Sequence, residues 1–357
     1  MPDLLTSAGL WDGVEAPDAL IEPVPFVDPD AWTYTKRTAV FDTAGDVVHE
    51  PLPMKGAEVD GFVARAFAES AAHAGLPPSA DAPPGVLIAL SGGRDSLAMS
   101  YLLAKCLPPG HRDSLRAVTV QAISPPQDVQ TAVEACASLG IAHTVVPETD
   151  IVEQHGLAVP VVEALQAVLD TCGQHAAISV CHMLMRSAVE RTARDQSITT
   201  VALGLHNEDL MASLVRSFMT GIPLGESVMR MRWGDFIFAY PLWGITKKEL
   251  TLYLMATAPP HARQGAPSLY DRGNDSRDIN YLMADSLQTL LPESSLHFFV
   301  GYERLITNMR GSAVAFVRCR NCGATIRLVP SFESPELCVA CDHLRAVGCL
   351  ESRPRHG

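Results

Sequence analysis

The sequence predicts an α/β protein, a doubly wound parallel sheet followed by a small cysteine-rich module. From residue 85 onward, short apolar runs alternate with stretches of helical periodicity, the pattern of a parallel sheet with crossover helices. The first of these runs meets a glycine-rich turn, Ser91-Gly92-Gly93, with helical periodicity resuming directly after it. Near the C-terminus, Cys319/Cys322 and Cys338/Cys341 form C-x2-C-x15-C-x2-C, the spacing of a four-cysteine zinc ribbon.

The elements follow in order. Residues 1–35 are rich in Pro and Asp and read as a loose lead-in. Residues 35–53 read as a hairpin, with Thr43-Ala-Gly-Asp46 as its turn. Residues 59–74 carry helical periodicity, and the Pro-rich stretch 75–85 is the clearest linker. Strands are expected at 86–90, 115–121, 143–147, 199–203 and 236–240, and helices near 95–107, 127–139, 178–194, 207–220 and 246–257. Two further helical stretches, about 276–291 and 295–309, precede the cysteine pairs. The expected units are therefore 1–84, an acidic region with a hairpin and a helix; 85–310, the α/β domain; and 311–357, the ribbon and tail.

The 357 residues are 47% hydrophobic and 19% charged, enough to build a core and too apolar for bulk disorder. No apolar run reaches the roughly 18 residues of a membrane helix, and no secretory signal opens the chain. Nine cysteines, four in CxxC pairs, suit a reducing, cytoplasmic setting. The net charge of −13 is unevenly spread. Residues 1–85 carry 14 Asp/Glu against 4 Lys/Arg, whereas residues 310–357 carry 7 Arg against 4 acids. Phosphate contacts supply most nucleic-acid affinity, so the balance argues mildly against a polynucleotide partner without excluding one.

Ser91-Gly92-Gly93-Arg94-Asp95-Ser96 has the makings of an anion cradle. Glycines let the backbone approach an oxyanion, and the helix N-terminus offers N–H groups and a positive dipole. Ser91 and Ser96 add hydroxyls, Arg94 a cation, and Asp95 a reason to expect a bridging Mg²⁺. The Walker pattern and GxGxxG are absent. A capped Gly-Gly turn is the plain structural alternative. The motif resembles the pyrophosphate-binding loop of the N-type ATP pyrophosphatases, the PP-loop family, whose members split ATP into AMP and pyrophosphate while adenylating a substrate oxygen. The resemblance spans about residues 85–345 and implies the adenine nucleotide alpha-hydrolase type of sheet.

A second block, Gly204-Leu205-His206-Asn207-Glu208-Asp209-Leu210-Met211-Ala212, is similar to the T-G-H-N-x-D-D-x-A block of the tRNA thiolation and lysidine-forming branch. Here Leu210 replaces the second aspartate and Leu205 the glycine before histidine. Tyr240-Pro241-Leu242 followed by Lys247-Lys248-Glu249 and Tyr253 matches a further family segment, although Lys-Lys-Glu alone reads as a solvated helix start. The resemblance implies ATP at Ser91, Gly92, Gly93, Arg94, Asp95, Ser96, Val120, Gly204, His206 and Asn207. It implies Asp95, Cys181 and Asp209 as catalytic residues.

Within the branch of the two-thiouridine and two-thiocytidine synthetases, a PP-loop core followed by a cysteine ribbon resembles the two-thiouridine synthetases, whose ribbon helps dock tRNA. The expected reaction is adenylation of a carbonyl oxygen followed by sulfur insertion into a tRNA base. Zn²⁺ is assigned to Cys319, Cys322, Cys338 and Cys341 for folding. An iron–sulfur cluster is not expected, because Ile178 and Ala266 stand where the branch carries two of three ligand cysteines and Cys181 alone remains. Sulfur would then come from a carrier protein, from sulfide, or as a persulfide on Cys181. Cys106, Cys136, Cys172 and Cys349 read as packing residues, and a homodimer is expected. The alternatives left open are the same adenylation on a small-molecule or carrier-bound substrate, and a non-catalytic nucleotide-binding subunit.

Overall fold

The computed structural model describes residues 30, 32–41, 47–77, 85–220, 227–257, 280, 283–284, 286–287, 294–309, 315–328 and 335–351. The expected turn at 43–46, most of the lead-in and of the 75–85 linker, most of the 276–291 helix, and Ala266 lie outside them.

The hairpin is present as β1 (Thr33–Phe41) and β2 (Val47–Lys55), paired antiparallel and running straight into α1 (Gly56–His73). The sheet then builds outward from its centre. β3 (Val86–Ala89) leads to α2 (Arg94–Cys106), β4 (Leu115–Val120), α3 (Pro126–Leu139) and β5 (Ala142–Val146). Three helices follow: α4 (Glu148–His155), α5 (Val161–Cys172) and α6 (Gln174–Asp195). The chain re-enters the sheet on the other side of β3 with β6 (Thr200–Leu203), α7 (Asn207–Thr220), β7 (Arg230–Trp233), β8 (Phe236–Ala239) and α8 (Lys247–Thr257). After α9 (Ser294–Met309) come a two-stranded β9 (Phe316–Arg318) and β10 (Thr325–Arg327), then α10 (Val339–Ala346).

The six-stranded sheet has the order β5-β4-β3-β6-β8-β7, parallel except for the antiparallel edge strand β7. The doubly wound expectation holds, and β7 is an addition to it. Alternation along β3 splits the core. Val86, Ile88 and Leu90 face the layer containing Val63, Phe67 and Leu102, whereas Leu87 faces Val168, Val180 and Leu184. The four-residue strands β3 and β6, buried on both faces, leave almost no polar alternation, as expected at the centre of a parallel sheet.

α1 belongs to this core. Val59, Val63 and Phe67 are buried, and the Trp243 indole N–H donates to the Ser70 carbonyl at 2.9 Å. Lys36 of β1 reaches Glu249 of α8 at 2.9 Å, and both are nearly excluded from solvent.

Candidate active site and thiolate centre

The strand order decides where a ligand can sit. From central β3 the chain winds first to β4 and β5, then back to β6 on the opposite side. The loops after β3 and β6 therefore diverge at the carboxyl ends of neighbouring parallel strands, the crevice where open α/β sheets bind ligands. These two loops hold the two sequence blocks.

In the first loop, the Ser96 hydroxyl donates to the Gly93 carbonyl at 2.9 Å and lies 3.1 Å from Ser91 Oγ, which accepts the Gly93 N–H at 3.3 Å. α2 starts at Arg94 with Gly93 as its cap and no side chain capping it. Gly92 has φ +83°, and a Cβ there would lie 1.9 Å from the Asp128 carbonyl oxygen at the start of α3. Arg94 is buried, its Nε 3.8 Å from Asp95 Oδ1, and neither atom has a hydrogen-bond partner among the described residues.

The second loop presses against the first. A Cβ on Gly204 would stand 3.0 Å from Ser96 Cα. His206 is 2% exposed and surrounded by acids: Nδ1 is 2.9 Å from Glu208, and Nε2 is 3.3 Å from Asp209 and 3.7 Å from Asp95. Burial alone would lower the imidazole's pKa, but Asp209, Glu208 and Asp95 outweigh it and push the value up to about 9. The pair of loops thus holds a buried cation between three carboxylates. Asp209 also accepts the His206 backbone N–H at 3.2 Å, closing the start of α7.

The structure brings Ser91, Gly92, Gly93, Arg94, Asp95, Ser96, Gly204, His206, Asn207 and Asp209 to this crevice. Asn207 is buried, and its amide donates to the Trp243 carbonyl at 3.0 Å, which ties α7 to the chain before α8. Val120 ends β4, one strand away, and is buried. Cys181 lies on α6, which begins at Gln174, so it sits two turns into the helix, 2% exposed in the core beside Val180 and Leu184. Leu210, at the position of the absent aspartate, is 3% exposed and fills the same core. A cavity of about 520 Å³ lined by Arg116, His143 and Gln196 opens at the amino ends of β4 and β5, away from the crevice.

Two residues take on roles that the sequence alone does not indicate. Glu208 accepts the Lys247 backbone N–H at 3.0 and 3.1 Å while contacting His206, so one carboxylate joins α7 to α8. Glu249 is buried, accepts the Thr246 N–H at 2.9 Å and pairs with Lys36. It is not a solvated helix start. The Thr246-x-x-Glu249 capping box is the signal that could have found it.

Cys319, Cys322, Cys338 and Cys341 are all buried, with their sulfurs within 4.8 Å of one another. Cys322 and Cys338 lie 3.7 Å apart, close to the edge of a tetrahedron built on metal–sulfur bonds of about 2.3 Å. Hydrogen bonds from Cys322 and the other two thiols push Cys319 toward the thiolate. α6 holds this module. Glu190, wholly buried, accepts the Thr325 N–H and hydroxyl at 3.1 and 3.0 Å. Arg186 stacks 3.9 Å from the centroid of the Trp233 ring, whose indole N–H donates to the Thr325 carbonyl at 2.9 Å.

No family model matches the chain. It is 26% identical over 256 residues to the tRNA-cytidine(32) 2-sulfurtransferase of Neisseria meningitidis serogroup A, covering 65% of this chain and 75% of that protein. It is 30% identical over 179 residues to the enzyme of the same name from Aeromonas hydrophila, covering 49% and 55%. Among solved structures it is similar to the U34-tRNA thiolase NcsA of Methanococcus maripaludis with its [4Fe-4S] cluster, at a TM-score of 0.58. That likeness has 21% identity, covers 82% of this chain and 91% of that one, and shows the fold. These likenesses support a PP-loop protein of the tRNA thiolation branch.

One expectation is corrected. Ile178 and Ala266 argue in the sequence against an iron–sulfur cluster. The structural neighbour carries a [4Fe-4S] cluster, and this chain has four clustered thiols, ligand chemistry shared by zinc and iron–sulfur centres. The exclusion counts cysteines around the core alone and leaves these four out as cluster ligands.

Proposed function

We propose that this PP-loop protein is an ATP-dependent tRNA thiolation enzyme. The observation that carries the reading is the meeting of residues 91–96 with His206 and Asp209 at the sheet's switch point. ATP would lie with its phosphates on the 91–96 loop and its adenine against the backbone at Val120. A pyrimidine carbonyl oxygen attacks the α-phosphorus, the bond to the β-phosphate oxygen breaks, and pyrophosphate leaves. A sulfur nucleophile then adds to the activated carbon and AMP departs. Buried Arg94 and the His206 cation would then face the negative charge that develops on the leaving pyrophosphate. The sequence relatives are named for cytidine(32) and the structural neighbour for U34, so the base is a pyrimidine in either case.

Sulfur would arrive as sulfide or on a carrier protein, with Cys181 as the residue to test for a persulfide. A cytoplasmic setting fits a chain whose nine cysteines form no disulfide, and a homodimer is the proposed assembly. The test is incubation of the protein with MgATP, sulfide and total tRNA, then mass analysis of nucleosides for replacement of oxygen by sulfur. Thiolated pyrimidine with AMP and pyrophosphate is the expected result. ADP and phosphate, or AMP without any thiolated nucleoside, would overturn it. With a persulfidated carrier protein in place of sulfide, which passes its outer sulfur to a cysteine thiolate by exchange, and a thiol to resolve the disulfide left after transfer, Cys181→Ser losing product while still releasing AMP would mark a persulfide carrier; unchanged product would mark a packing residue.

A further inference from the structure

His155 is outside every motif in the sequence, yet its ring is wholly buried against the thiolate centre. Nδ1 lies 3.5 Å from Cys341 Sγ, and Nε2 lies 2.8 Å from Ser187 Oγ on α6. The placement is fixed by backbone as well. The His155 carbonyl accepts the Asn321 amide at 2.6 Å, and that amide nitrogen is 3.3 Å from the same Cys341 sulfur. One residue on, Gly156 turns left-handed at φ +64°, and its carbonyl accepts the Glu351 N–H at 2.9 Å. Ala158 N–H donates to the Cys349 carbonyl at 3.0 Å, so α4's exit is laced to the chain after α10.

The hydrogen-bond directions depend on the sulfur. A thiol can donate to Nδ1, leaving Nε2–H to donate to Ser187, whose own hydroxyl donates to the Leu184 carbonyl at 2.8 Å. A metal-bound thiolate has no proton to give and can only accept. We propose that when the four cysteines hold a metal, His155 directs its Nδ1–H at Cys341 Sγ and receives the Ser187 hydroxyl at Nε2. His155 is thereby a positioning residue of the centre: it fixes the Cys341 sulfur, draws off part of its negative charge, and links it to α6. The inference rests on the four-thiolate centre and is independent of the tRNA reading.

Partners just outside a metal's ligands typically change affinity by about 10–100-fold when removed. Full-length protein is compared as wild type, His155→Asn, His155→Phe and Ser187→Ala. Two quantities are read: release of the bound metal to a chelator, and the sulfur-to-cobalt charge-transfer band after Co²⁺ substitution. Asparagine places an amide N–H near the Nδ1 position; phenylalanine keeps the ring volume and has no donor. Phe is expected to release metal about 10-fold faster or more, with a shifted cobalt band, and Asn to recover most of the wild-type behaviour. Ser187→Ala, which keeps the ring and both knuckles, is expected to shift the band by itself. Equal release from Asn and Phe would reduce His155 to packing and overturn the proposal, as would wild-type release and an unmoved band in Phe. Where neither His155 variant folds, an unmoved band in Ser187→Ala overturns it.

Discussion

The backbones of Gly204 and Ser96 pack so closely that a side chain between them would be crowded: a Cβ on Gly204 would lie 3.0 Å from Ser96 Cα and 3.1 Å from its nitrogen. This contact lets the loop after β6 close on the loop after β3, and it brings His206 to Asp95.

Gly204→Ala should push the two loops apart by a few tenths of an ångström while leaving both hydrophobic layers intact. ATP-dependent AMP formation is expected to fall about 10–100-fold, since small displacements at a reacting centre are costly. The melting curve should stay near that of the wild type. Unchanged kinetics in a folded Gly204→Ala protein would show that the close approach is incidental.

Asp95→Asn keeps the shape of the loop and removes a carboxylate whose Oδ2 lies 3.7 Å from His206 and whose Oδ1 has no hydrogen-bond partner among the described residues. Turnover of ATP to AMP and pyrophosphate is expected to drop on the order of 100-fold, as for loss of one preorganised electrostatic group. Radiolabelled ATP, resolved by chromatography, measures it.

His206 should make folding sensitive to alkali. Its pKa of about 9 in the folded chain stands above the ordinary 6.5, so its ion pairs contribute fully below pH 6.5. Stability should then fall as pH rises toward 9, by about 3 kcal/mol at most. Chemical denaturation across that window, repeated with His206→Gln, checks the point. The variant's pH dependence should be flatter, and parallel curves would refute the assignment.

Glu249 joins β1, the turn before α8 and α8 itself. Glu249→Ala removes the cap on Thr246 and the carboxylate 2.9 Å from buried Lys36, a loss of about 3–5 kcal/mol. Denaturant midpoints of the two single variants and the Lys36/Glu249 double variant should show strong coupling. Simple additivity would place the pair among inert contacts.

Removing the thiolate centre should loosen α6. Zinc and iron are both measured; the wild type is expected to hold bound metal and a Cys319→Ser/Cys338→Ser double variant to hold almost none. Amides around Ser187 and Glu190 should exchange faster in the variant, because Glu190 and Gln154 bond directly to the module. Full metal retention would refute the site.

The sequence by itself determined the parallel sheet, the phosphate-type loop and the set of four paired cysteines. Each is a local pattern: an apolar run of strand length, a Gly-Gly turn opening a helix, or a fixed thiol spacing. Only the tertiary structure decided what lies across from them. Glu208 to Lys247, Lys36 to Glu249 and His155 to Cys341 span up to 213 positions along the chain. No periodicity links such residues, because their partnership is created by strand order and by helices packing on the sheet. Leu210 shows the same division. As a sequence feature it is a missing aspartate, and in the fold it is a core side chain, since α7 turns that position inward toward the layer occupied by α6.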